Sequence, residues 1–321
     1  MTIVESPVTE AYVAVDSPDS TAPNVIKPST ASEADDALLQ PQVEISYKPI
    51  TSSLRSTILH LRARAGYWSR FRGLSLFLCW AFARSLIISL IASAPIMRSQ
   101  GGLAIAIIIA EVTLSLWELT WYQIVISEPS TKKWWQRVPS FKSRAWTKIA
   151  PAVALRSLTT QIASGLPVLL CRSFGTMKHL QDPAFQPGKK DMAVIFGQSL
   201  IVLFLTFALF ILLEIPATVT VVRVAASMLP EEYETIVPFD RSFGGKVTPA
   251  IVGGSGKIGM LDAWKTFTWP SRIRLLKLVV KVFAIIVTVW LLFCMVLVVE
   301  GHLLFGDKLA EIIKAIGGKG H

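Results

Sequence analysis

The 321-residue sequence predicts an all-α, polytopic transmembrane helical bundle of about five spans behind a disordered N-terminal tail. Three observations predict it. Mean hydropathy is +0.52, and only 17% of residues are charged, where a soluble globular chain carries about 25%. The apolar residues gather in separate blocks of membrane-spanning length. Lysine and arginine collect beside alternate ends of those blocks, as short cytosolic loops do.

Residues 1–50 hold Glu5, Glu10, Asp16, Asp19, Glu33, Asp35, Asp36 and Glu44 against Lys27 and Lys48 alone. Two bases against eight acids leave this segment at −6, so the formal charge of +10 hides a basic remainder of +16. The segment is rich in Ser, Thr, Pro and Ala and has no sustained apolar period, so burial there cannot offset chain entropy. It reads as an acidic cytosolic tail. No basic stretch followed by an apolar one opens it, which excludes a secretory signal, and its acids argue against a mitochondrial transit peptide.

From 54 to 72, Leu54, Ile58, Leu61, Ala65, Trp68 and Phe71 recur at spacings of three and four, with Arg55, Arg62, Arg64, Arg70 and Arg72 between them. This pattern fits a basic amphipathic juxtamembrane helix, and equally a solvated basic run leading into the first span. Both readings set Arg62, Arg64, Arg70 and Arg72 against anionic lipid head groups on the cytosolic face.

Five blocks then reach the length needed to cross a core of ~30 Å at ~1.5 Å per residue: 74–97, 103–126, 149–171, 193–222 and 275–299. The fourth and fifth contain the uncharged runs Met192–Leu213 and Val282–Val299. The third carries Pro151, Arg156, Thr159, Thr160, Gln161 and Pro167, a polarity that fits a crossing or a re-entrant segment. Residues 301–321 form a short C-terminal tail. Loop charge orients the set: Ser127–Lys148 has six bases against Glu128, and Arg223–Arg274 has seven bases, while the turn at Arg98 has one. The N-terminus is then cytosolic and the C-terminus on the opposite side.

An internal recurrence runs through these spans. Arg84-Ser85-Leu86, Ile91-Ala92-Ser93 and Pro95 in the first match Arg156-Ser157-Leu158, Ile162-Ala163-Ser164 and Pro167 in the third. Glu118 and Glu214 occupy similar places in the second and fourth. The pattern suggests a tandem helix-pair repeat plus a fifth helix.

Charged residues within spans face the bundle and find partners, because one at the centre of the bilayer costs about 2.5–3.5 kcal/mol on insertion scales. Arg84, Glu111, Glu118, Arg156 and Glu214 therefore form a candidate intramembrane polar site. Arg84 with Glu118 and Arg156 with Glu214 match in depth, and a crossed pairing between repeats is equally open. Glu111 lies deeper and has no partner at its level, so it is the residue that would bind a cation or hold a proton. The plainer reading of all five is structural glue.

Lys132, Lys133, Trp134 and Trp135, with Arg137, Phe141, Lys142, Arg144 and Trp146 beyond, interleave bases with aromatics. Between two spans this fits lipid head groups and excludes nucleic acid as the expected partner. Gly253-Gly254-Ser255-Gly256-Lys257-Ile258 lacks the leading glycine and trailing hydroxyl of a phosphate loop, having Ile251 and Ile258 there, and reads as a hinge. Glu231, Glu232, Glu234, Pro238, Phe239, Asp240 and Arg241 make a loop that docks a protein partner or caps the bundle. Cys79, Cys171 and Cys294 sit in apolar blocks and His60, His179, His302 and His321 are scattered, so no metal or cofactor is expected. No HExxH, GxSxG or paired-carboxylate motif marks an enzyme.

Leu229-Pro230-Glu231-Glu232, Ile236-Val237-Pro238-Phe239-Asp240-Arg241-Ser242-Phe243-Gly244-Gly245 and Gly259-Met260-Leu261-Asp262-Ala263-Trp264-Lys265-Thr266-Phe267 resemble multispanning membrane proteins of filamentous fungi whose activity is unassigned. The resemblance covers about a sixth of the chain. It implies a membrane protein and carries over no catalytic residue. The expected function is a non-enzymatic transporter-like or scaffold bundle in an endomembrane or the plasma membrane. The alternative is an accessory membrane enzyme acting on a lipid or lipophilic metabolite, with Glu111, Glu118 or Glu214 as acid.

Overall fold

The computed structural model describes residues 2–5, 50–97, 99–140, 143–175, 189–237, 239–248 and 253–317. Most of the expected tail, together with Arg98, Phe141, Lys142, residues 176–188, Pro238, Ile251 and residues 318–321, lies outside the described residues.

The basic segment is not one helix. Helix α1 (Leu54–Ala65) starts where the Ser53 hydroxyl accepts from Ser56 N–H at 3.2 Å and ends at Gly66, whose φ of 80° is open to glycine. A 3-10 turn, Tyr67–Phe71, follows. No residue of α1 is buried, and Tyr67, Trp68 and Phe71 are exposed. Helix α2 (Leu74–Ala92) is entered through Gly73 at φ 75°. A Cβ at Gly73 would stand 2.9 Å from the Trp121 ring, so the chain passes closer than any side chain permits.

The second candidate span is not one straight helix. Helices α3 (Gln100–Thr113) and α4 (Ser115–Ile126) meet at Leu114 with a bend of 58°. A short helix, α5 (Trp134–Arg137), precedes α6 (Ala145–Ser173), an unbroken 29-residue helix through Pro151 and Pro167. The segment polar enough to suit re-entry is thus continuous, and the break falls one span earlier. The two prolines of the recurrence also differ, since Pro95 opens a 3-10 turn beyond α2 while Pro167 lies inside α6.

Helix α7 (Lys189–Leu209) passes through a π-turn, Phe210–Glu214, into α8 (Ile215–Ser227). Pro216 has no N–H for the Leu212 carbonyl, and the wider turn absorbs that missing bond. Helix α9 (Met260–Lys265) leads to α10 (Trp269–Gly317), 49 residues long. At ~1.5 Å per residue α10 extends well beyond a ~30 Å core. Residues 301–317 therefore continue the helix rather than forming a tail.

Helix α6 is central, packing on α3, α4, α7 and α8, with α2 against α3 and α4. The main core cluster packs Leu116, Leu119, Ile149, Val153, Val221 and Ala225 with Phe243 and Ile258 from the loops and Ala263 of α9. Those loops form a layer over the bundle. Glu128 N–H donates to Glu234 O at 2.8 Å, Ile236 N–H to Ile126 O at 3.0 Å and the Lys257 ammonium to Lys148 O at 3.1 Å. Thr2–Glu5 also belongs to this layer: Val4 joins the core and Glu5 is 2% exposed. The expectation of a free tail does not hold for these four residues.

Elsewhere the apolar side chains face outward. In α10, Phe283, Ile286, Val289, Trp290 and Leu292 are each more than half exposed, and the most apolar window of Trp269–Leu297 has no buried residue. Such a helix is stable only in lipid. Four helices qualify as spans, Tyr67–Ala92, Ala145–Ser173, Ala193–Ser227 and Trp269–Leu297, and the bent pair α3–α4 makes a fifth if it counts as one. The chain is a multi-pass integral membrane protein.

Candidate functional site

Four of the five intramembrane charges form one network. Glu111 of α3 receives Arg84 of α2 on Oε1, at 2.9 Å from Nη2 and 3.2 Å from Nε. Its Oε2 lies 3.3 Å from Arg156 Nη2 of α6. Arg156 also reaches Glu118 of α4, Nη1 to Oε1 at 2.6 Å and Nη2 to Oε2 at 3.2 Å. Glu111 is 7% and Glu118 4% exposed. Two cations and two anions close the network at zero net charge, as an interior of low dielectric demands.

This pairing differs from the depth-matched one, while Arg156 with Glu118 is one half of the crossed pairing. Arg84 meets Glu111 instead of Glu118, and Arg156 takes both glutamates instead of Glu214. A straight second span would set Glu111 too deep for Arg84, but the 58° bend after Thr113 invalidates a depth counted along one axis. Glu111 is therefore the shared carboxylate of the network and not an unpartnered one. Glu214, at the end of the π-turn, accepts from the Thr160 hydroxyl at 2.6 Å.

Tyr122 and Thr160 extend the network and were not legible as site residues, although each follows a charge by four and so shares its helix face. The Tyr122 hydroxyl is 3.3 Å from Arg156 Nη1, and Trp80 lies under Arg84 at 5.7 Å. The Trp146 indole donates to Val112 O at 3.1 Å, satisfying a carbonyl beside the α3–α4 break. A cavity of about 150 Å³ lined by Phe77, Trp80 and Trp121 reaches Glu118 and Arg156. The hydroxyls of Ser115 and Ser157 are buried in the bundle without a hydrogen-bond partner among the described residues.

A second polar centre lies in the loop layer. Arg223, 7% exposed, stacks between Phe243 at 4.7 Å and Phe267 at 5.6 Å and donates to Ile3 O and the Thr266 hydroxyl. It borders a cavity of about 350 Å³ shared with Glu5 and Asp240. Burial pushes the Asp240 carboxyl up, but donors outweigh it: the Ser242 hydroxyl at 2.6 Å, Gly244 N–H at 2.6 Å and Ser242 N–H at 2.8 Å hold it below the usual aspartate range.

The residues expected at lipid head groups are partly engaged by protein. Arg64 pairs with Glu128 and Lys132 with Glu232, both at 3.1 Å, and Lys132 holds the Glu232 carboxyl below its ordinary range. Arg62 lies over the Tyr67 ring and Lys133 over Trp135, and Trp134 meets Trp117 edge to face. Arg70 is exposed, while Arg72 Nη1 is buried without a partner. In the glycine-rich segment Ile258 is fully buried and the Lys257 ammonium is spent on Lys148 O, so this turn cradles no phosphate. Among the described residues, no group of three metal-ligating side chains occurs. Comparison with protein families, curated proteins and solved structures finds no match for this chain.

Proposed function

We propose that this protein is a non-enzymatic membrane scaffold, whose intramembrane charges lock helices together and whose loop layer presents a docking face to a protein partner. The observation that carries this reading is the double engagement of Arg156 by Glu111 and Glu118, with Arg84 completing the set. A conduction site keeps charge available to its cargo, whereas these charges are consumed by one another. The network joins α2, α3, α4 and α6, which makes it a register device.

In this reading the loop layer is cytosolic, supported by the bases of 127–148 and 223–274. The Arg-Ser-Leu recurrence marks a tandem helix pair, supported by the convergence of Arg84 and Arg156 on one carboxylate. Residues 229–278, which carry the likeness to fungal multispanning proteins, build much of the docking face.

The test is water access beside the network. In a background lacking Cys79, Cys171 and Cys294, Ser115→Cys and Ser157→Cys are treated with a charged, membrane-impermeant thiol reagent. Neither labels until the protein is unfolded, while Ser130→Cys in the loop labels at once. Labelling of either buried position in the folded protein establishes an aqueous path and sinks the scaffold reading. The aromatic-lined cavity favours a second reading, an accessory component handling a small lipophilic molecule beside Glu118. Native mass spectrometry showing a retained ligand, lost in Trp121→Ala, would support that one.

A further inference from the structure

We infer that the basic cavity at the start of α10 is a binding site for the phosphorylated, polyanionic head group of a membrane lipid. The cavity measures about 310 Å³ and is bordered by Arg274, Lys277, Lys281, Thr51 and the apolar side chains of Leu54 and Ile273. The three bases fall at spacings of three and four, so α10 presents them on one face. Among the described residues, no acid lines the cavity. Glu5, bonded to Thr51, pairs with Arg274 at 3.6 Å, and among the described residues Lys277 and Lys281 have no such counter-ion.

Each base has capacity to spare. Arg274 Nε is buried with no hydrogen-bond partner among the described residues, in a side chain only 15% exposed. Lys277 and Lys281 are exposed and make no ion pair among the described residues. A guanidinium with a spare donor and two exposed ammonium groups on the wall of one cavity suit phosphate oxygens, which accept several charge-assisted hydrogen bonds at once.

Depth selects a lipid as the source. The uncharged run Val282–Val299 covers roughly 27 Å at 1.5 Å per residue, close to the whole hydrocarbon thickness. Lys281 immediately precedes that run, with Lys277 and Arg274 in the next two turns outward, which sets the cavity at head-group level. Ile273 borders both this cavity and a mostly apolar groove of about 350 Å³ along Ile211, Ile215 and Leu276. A lipid seated with its phosphates on the bases has a ready path for an acyl chain.

The full chain in mild detergent is titrated with short-chain phosphatidylinositol bisphosphate, soluble inositol trisphosphate and inorganic phosphate, read by thermal shift and by native mass spectrometry. The lipid binds at least tenfold more tightly than inositol trisphosphate. Lys277→Ala/Lys281→Ala weakens lipid binding roughly tenfold or more, with its melting point in the absence of lipid unchanged because both side chains are exposed. Lys132→Ala/Lys133→Ala binds as the wild type does. Equal affinity for the soluble anions, or undiminished binding by Lys277→Ala/Lys281→Ala, or an equal loss in Lys132→Ala/Lys133→Ala, overturns the assignment.

Discussion

Glu111 of α3 and Arg156 of α6 face each other at 3.3 Å, and each already holds another partner of opposite charge. The two shared residues are the hinge of the network, while Arg84 and Glu118 are its ends.

Removing a shared residue therefore costs more than removing an end. Arg156→Leu leaves Glu118 buried with no cation, and apparent stability falls by about 3–5 kcal/mol. Arg84→Leu leaves Glu111 with Arg156 and costs about 1 kcal/mol. Detergent-unfolding midpoints measure both, and equal effects would contradict the asymmetry.

A side-chain bond from α6 supports the α3–α4 break. Trp146→Phe keeps an aromatic side chain but deletes the indole donor to Val112 O, at a cost of about 1–2 kcal/mol. Trp135, which is 54% exposed, serves as the control, and Trp135→Phe leaves the unfolding midpoint unchanged.

Two glycines respond to alanine in opposite directions. Gly73→Ala forces a Cβ at φ 75° against Trp121 and destabilises by about 1–2 kcal/mol or more. Gly101 in α3 has open space around its missing Cβ, so Gly101→Ala stabilises by about 0.5–1 kcal/mol. The same unfolding assay reads both signs.

The loop 239–248 loosens in acid. Because the folded-state pKa of Asp240 is depressed, its contribution is fully present above the unfolded value of roughly 3.9 and is lost as pH falls through the lower folded value. Hydrogen exchange at Gly244 and Ser242 therefore stays slow, relative to the intrinsic rate, down to about pH 4 and loses protection below it. In Asp240→Asn that acid-dependent loss disappears, and protection is already low at neutral pH.

The apolar blocks and the five intramembrane charges were legible because hydrophobic length and charge are properties of the chain itself. The pairing was not. Depth counted along a helix assumes a straight axis, and neither glycine nor proline occurs between Glu111 and Ser115 to announce the bend. The docking of Glu5 onto Ile50, Thr51 and Arg274 was hidden for a related reason: a short acidic segment carries no period, and its partners lie 45 to 269 residues away.

Composition by itself determined that this protein lives in lipid as a helical bundle, since a continuous apolar run of spanning length leaves the backbone no other way to satisfy its hydrogen bonds there. Only the tertiary structure decided which charges meet. A buried ion takes whichever counter-ion packing brings within about 3 Å, and packing here is set by a bend whose freed carbonyl is held by Trp146 from another helix.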